Sequence, residues 1–258
     1  MYFELLIIFL ITAYYCNTYY RKKQNNLIIQ KEDSSNDANL HEIHITINNE
    51  NNFVKLISFV NKYEFTNKKK LKIVYAVSNV SNNQYMISHF INANSMDAIK
   101  KAKQIADEMV DFGIIVLRVK VEQRSTSSMP QNKTQYYDVQ NYLRGNIGEP
   151  LSKCYFEFHL KLKMINNKSM FSIENMEKDA KINKNVAISY NLCSANMKPL
   201  LTIRLYDTGY IEAVNYKDKV ISEMENLGYE FLEEYCQQEF SVYDNNSSID
   251  DGWLIAEI

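Results

Sequence analysis

Two segments of this chain alternate strictly between polar and apolar residues, with like residues in matching places. Glu42-Ile43-His44-Ile45-Thr46 is one, and Glu157-Phe158-His159-Leu160-Lys161 is the other. Successive side chains of a strand point to opposite faces. Each segment therefore carries Glu, His and a phosphate-capable residue on one face and only apolar residues on the other. His159 stands 115 positions after His44.

The same offset aligns further segments without gaps. Residues 71–77 fall on 186–192, and residues 85–91 fall on 200–206. The helical pattern of Ile99, Ala102, Ala106 and Met109 falls on Val214, Lys217, Ile221 and Met224, and Gly113 falls on Gly228. Letters match less than pattern does. Several elements sharing one offset indicate two copies of a small domain, because the period is too long for a solenoid repeat.

Hydrophobic residues make up 46% of the 258, enough for a real core, and only six glycines and three prolines are present. The formal net charge is −2, so no global basic field recruits nucleic acid and any anion site must be local. Cys16, Cys154, Cys193 and Cys236 form no C-x-x-C pair, which favours a reducing compartment over a disulfide framework or a structural zinc site. No phosphate-loop, dinucleotide-loop, H-E-x-x-H or G-x-S-x-G motif occurs, so no cofactor is expected.

Residues 5–16 are uncharged and mostly apolar, Tyr14, Tyr15, Tyr19 and Tyr20 follow as an interfacial belt, and Arg21-Lys22-Lys23 closes the run. Residues 1–20 have the length of a bilayer span. The only charged side chain before the apolar run is Glu4, which disfavours a cleavable signal peptide. The expectation is a transmembrane helix within an N-terminal anchor, 1–23, contacting the lipid bilayer through 1–20. The positive-inside rule then makes this a single-pass membrane protein with a cytosolic body. A polar tether follows at 24–38, then the first half at 39–123, a linker at 124–153, the second half at 154–246 and a tail at 247–258.

Hydrophobic periodicity predicts strand 42–47, helix 52–63, strands 71–77 and 85–91, helix 96–111 and strand 114–122 in the first half. Ser95 is the expected cap of the second helix, and Gly113 its stop. The second half reads strand 155–164, helix 172–182, strands 186–192 and 200–206, helix 211–227 and strand 230–243. The βαββαβ order predicts an α+β fold of two tandem ferredoxin-like halves. Helices would cover one face of each sheet, and the two polar faces would form a shared cleft.

That cleft would gather His44 and His159 with Thr46, Lys161, Thr202, Arg204 and Arg118, while Glu42 and Glu157 orient the histidines. Arg forks and Lys point charges suit phosphate. Two histidines suit a general acid and a general base on opposite sides of a phosphorus.

The constellation resembles the 2H phosphoesterase family, two-lobed duplicated folds with one H-x-[ST] strand per lobe. His44-Ile45-Thr46 matches the motif as it stands, whereas His159-Leu160-Lys161 has lysine at the Ser/Thr position. The resemblance implies metal-free phosphodiester chemistry on a cyclic phosphate or an oligonucleotide end. One histidine would activate the nucleophile and the other would protonate the leaving oxygen. Its implied partners are a phosphorylated small molecule or an RNA end. Tyr155-Phe156-Glu157-Phe158-His159 and the Tyr243-Asp244-Asn245 … Asp251-Gly252-Trp253 tail also resemble an uncharacterised family, which supplies no activity.

Two other readings stay open. One is a non-catalytic module that binds a nucleotide, an RNA end or a protein, with any protein partner unknown. The other is a metal-dependent enzyme with Glu42, His44, Glu157 and His159 as ligands.

Overall fold

A computed structural model describes residues 39–250, apart from 49–51, 78–82, 149–152, 164–172, 181–184, 192 and 194–198. Alternation decides the faces of the first strand, β1 (Leu40–Ile47). Ile43, Ile45 and Ile47 are at most 1% exposed, while Glu42, His44 and Thr46 turn the other way onto a cavity. Next come α1 (Phe53–Asn67), β2 (Lys72–Val77), β3 (Gln84–Asn92), α2 (Ser95–Asp111) and β4 (Val116–Gln123). After α3 (Lys133–Ile147) the chain continues through β5 (Tyr155–Leu162), α4 (Ile173–Ala180), β6 (Val186–Asn191), β7 (Pro199–Leu205), α5 (Tyr210–Asn226) and β8 (Phe231–Asp244). A 3-10 turn at Ser247–Asp250 follows β8.

The apolar spacing of α2 explains its packing. Ala98, Ile99, Ala102, Ile105, Ala106 and Met109 form its buried stripe. The cap differs from expectation by one residue. The Asn94 side chain accepts from the Asp97 backbone N–H at 2.9 Å, while the Ser95 hydroxyl lies 3.0 Å from His41 Nε2. Asn94 keeps extended backbone, φ −65° and ψ 163°, as a cap requires. Gly113 ends the helix at φ 81°, a conformation glycine adopts without strain.

The eight strands close into one barrel in the order β1-β3-β2-β6-β7-β5-β8-β4. This corrects the expected pair of ferredoxin-like halves with separate sheets facing across a cleft. The physical reason lies in the edge strands. β2 and β4 of the first half, and β6 and β8 of the second, would each leave unpaired backbone groups. β2 pairs antiparallel with β6 through Ala76↔Asn191 and Val77↔Tyr190. β4 pairs antiparallel with β8 from Lys120↔Asp244 to Gln123↔Phe240. Closure removes the edges and turns the Glu42-His44-Thr46 and Glu157-His159 faces inward onto one lumen, while apolar faces such as that of β1 pack outward.

The expectation of a single-pass, bilayer-bound protein with a cytosolic body is also corrected. No helix among the described residues is long and apolar enough to cross a membrane. Residues 1–23, where the anchor was placed, lie outside the described residues. The helices present are amphipathic, as α2 shows, with its buried stripe opposed by Lys100 and Lys103.

The segment between β4 and β5 is packed rather than loose. Tyr136 of α3 is fully buried, donates its hydroxyl to the Cys154 carbonyl and meets Phe240 edge-on. The Tyr210 N–H at the start of α5 donates to the Pro130 carbonyl at 2.9 Å. Gly209 makes room for this approach, since a Cβ there would lie 2.2 Å from Asn132 Cα.

Candidate functional site: a charged lumen

Barrel order divides the lumen into two walls. β5, β8, β4 and β1 are contiguous and carry Glu157, His159, Glu239, Arg118, Lys120, Glu42 and His44. β3, β2, β6 and β7 form the facing wall, where Met86, Val74, Ala76 and Leu200 stand beside Lys72, Gln84, Ser189, Asn191, Thr202 and Arg204. The space between them is about 190 Å³. Val74, Ala76, Met86 and Leu200 are half-buried, and Phe90 is 47% exposed. One end is filled by Asp250, which sits 3% exposed against Gln84, Arg118 and Arg204.

Each histidine sits between two carboxylates. His44 Nε2 lies 3.1 Å from Glu122 and 3.5 Å from Glu42. His159 Nε2 lies 3.0 Å from Glu157 and 3.1 Å from Glu239. Strand register sets this up, because Glu42 pairs across to Glu122 and Glu157 to Glu239. Thr202, opposite His159 on β7, places its Oγ1 3.0 Å from His159 Nδ1. Opposite His44 on β3, Ser88 donates its hydroxyl to Glu42.

The cations of the lumen join the two halves. Lys120 Nζ bridges Glu122 at 2.8 Å and Glu157 at 3.1 Å. Arg124 contacts both Glu42 and Glu239. Arg204 clamps Glu157 with Nε at 2.7 Å and reaches Asp250 with Nη2 at 2.7 Å. Arg118 binds Asp244, Asp250 and the Tyr155 hydroxyl.

These contacts tune the acids. Burial pushes the Glu122 carboxyl up, but Lys120 and His44 outweigh it and hold the group down at about 2. Burial raises Glu157 as well, and Arg204 with Lys120 pulls it well below the usual carboxylate range. Glu42 is lowered despite burial by His44, Arg124 and the Ser88 hydroxyl. For Asp250 the opposing pull comes from Arg118 and Arg204. The wall is therefore ionised and paired at neutral pH.

Of the residues singled out in the sequence, Glu42, His44, Thr46, Arg118, Glu157, His159, Thr202 and Arg204 all line this one cavity. Lys161 is half-buried on β5 and is not among the lining residues. Lys120, expected from the sequence to join Arg118 in the cleft, is part of the charged wall; Glu122, Glu239, Arg124 and Asp250 complete it, and sequence reasoning gave these four no role there. Their roles depend on which strands meet, and alternation within β4 or β8 carries no signal of that. His41 and His89 stand outside the lumen, bonded to the Asn39 and Lys70 carbonyls. His89 pairs with Ile43, and Ser88 rather than His89 occupies the lumen position opposite His44. For metal, the structure gathers Glu157, His159 and Glu239, with one ligand atom from each within 4.8 Å of the others.

No family model, curated protein or solved structure matches this chain.

Proposed function

We propose that this protein binds a small molecule in the barrel lumen, with the charged wall reading the ligand's polar end and the facing wall taking its apolar part. The carrying observation is the division of one accessible cavity into these two contiguous walls. Eight-stranded barrels leave an interior just large enough for side chains or one small ligand. Pockets of this kind combine apolar lining with a few fixed polar groups. Arg118 and Arg204 are held in place by their carboxylates, which sets the shape of the wall before a ligand arrives. A thermal-shift screen of small amphipathic molecules tests the reading, using the wild type and Met86→Trp, which fills the cavity. Hits should stabilise the wild type and lose their effect in the variant. Shifts of equal size in both proteins would sink the proposal.

A second reading is 2H-like hydrolysis of a cyclic phosphate or oligonucleotide end, favoured by both histidines lining one cavity at 17% side-chain exposure. It asks for cations free to receive phosphate, yet Arg118, Lys120 and Arg204 are locked onto carboxylates, and of the cavity's cations the exposed Lys72 of β2 alone stands outside such a pair among the described residues. Binding is therefore the better-supported function. Hydrolysis of 2′,3′-cyclic nucleotides by the wild type, abolished in both His44→Ala and His159→Ala, would reverse that order.

A further inference from the structure

We infer that Glu157, His159 and Glu239 form a binding site for one divalent metal ion in the second half of the barrel, whatever small molecule the lumen accepts. Three atoms converge there: Glu157 Oε1, His159 Nε2 and Glu239 Oε2. The imidazole nitrogen stands 3.0 and 3.1 Å from the two oxygens. Ligands at right angles around an ion with bonds of about 2.1 Å lie roughly 3.0 Å apart, the edge of an octahedron. The two nitrogen–oxygen spacings therefore match edges of an octahedron around one ion held by one imidazole and two carboxylates, the remaining positions being open to water or ligand.

An independent observation points the same way. Glu239 is 2% exposed, and its Oε2 has no hydrogen-bond partner although it is aimed at this point. Its other oxygen is taken by Arg124. The Glu157 Oε2 is likewise held by Arg204, which turns Oε1 toward the histidine. An N–H on His159 Nδ1 can donate to Thr202 Oγ1 at 3.0 Å, leaving the Nε2 lone pair facing the carboxylates. In that tautomer one cation between the three atoms would answer all three lone pairs at once. Among the described residues, the cations that contact Glu42, Glu122, Glu157, Glu239, Asp244 and Asp250 are Arg118, Lys120, Arg124 and Arg204, together with His44 and His159 when protonated.

Lys120 Nζ, 3.1 Å from Glu157 Oε1, competes with the metal for that oxygen. In the first half His44 Nε2 is equally close to Glu122, at 3.1 Å, and the Glu122 oxygens also have no hydrogen-bond partner, but Glu42 Oε1 is farther, at 3.5 Å, and His44 Nδ1 has no hydrogen-bond partner to orient it. The duplicated position has thus diverged, and the second copy carries the site.

Mn²⁺ is the probe, read by electron paramagnetic resonance on the full chain after chelator treatment. The wild type should bind one Mn²⁺ saturably and show ¹⁴N modulation from a coordinated imidazole. His159→Ala should remove the modulation, and Glu239→Gln should weaken binding about tenfold or more. Thr202→Val leaves all three ligands in place and serves if either variant fails to fold. It should weaken binding about tenfold, with folding checked by circular dichroism. No saturable Mn²⁺ binding by the wild type would overturn the site. So would affinity unchanged in every folded variant, or ¹⁴N modulation that persists in His159→Ala.

Discussion

At the scale of single residues, the lumen is governed by what each charge touches. Arg118 is 4% exposed and bonds Asp244, the last residue of β8, and Asp250 of the turn that follows it. Removing one partner of a buried ion pair leaves the other uncompensated, which costs about 3–5 kcal/mol. Arg118→Met should therefore lower unfolding stability by about that amount in urea titration. A loss under about 1 kcal/mol would mean that Asp244 and Asp250 find other partners. Residue identity alone marked Arg118 as a phosphate donor. The structure makes it an internal tie, and the difference lies in Asp250, whose place at the barrel end depends on the turn after β8.

The elements were largely legible. Alternation located β1 and β5, and helical spacing located α2 and α5, because both signals arise from local geometry. The joints between halves were not legible, since pairing of distant strands leaves no periodic trace in either. The two joints are unequal. Among the described residues β2 meets β6 at Ala76↔Asn191 and Val77↔Tyr190, whereas β4 meets β8 from Lys120↔Asp244 to Gln123↔Phe240, and within the first half β1 meets β4 from His41↔Gln123 to Ile47↔Val116. Local opening follows the weakest pairing. The Val77 amide should therefore exchange with deuterium at least about tenfold faster than that of Ile45 in hydrogen-exchange mass spectrometry or NMR. Equal protection would show that the β2–β6 joint is as firm as the rest of the barrel.

For the whole molecule, the buried charges dictate how stability responds to acid. Glu122 has its folded value depressed to about 2 from 4.5. Its contribution is fully present above 4.5 and is lost as pH falls through the folded value, a difference on the order of 3 kcal/mol. Glu42, Glu157 and Asp250 are depressed too and act in the same direction. His41 and His89 are lowered from 6.5, chiefly by burial, so the unfolded chain takes up their protons first and stability begins to fall below that pH. The urea midpoint should decline steadily from pH 7 to pH 3. A flat profile would mean that these groups are not held as the structure shows.

The sequence by itself determined the local pattern: which segments are strands, which face of each is polar, and that Glu-x-His occurs once in each half. Those properties depend on neighbours within a few positions. Only the tertiary structure decided that the polar faces enclose one lumen, that Glu122 and Glu239 complete the histidine clusters, and that Arg118 and Arg204 are already committed to acids. Edge strands pair to satisfy their backbone groups, and a charge buried by that closure must find a partner wherever the fold brings one.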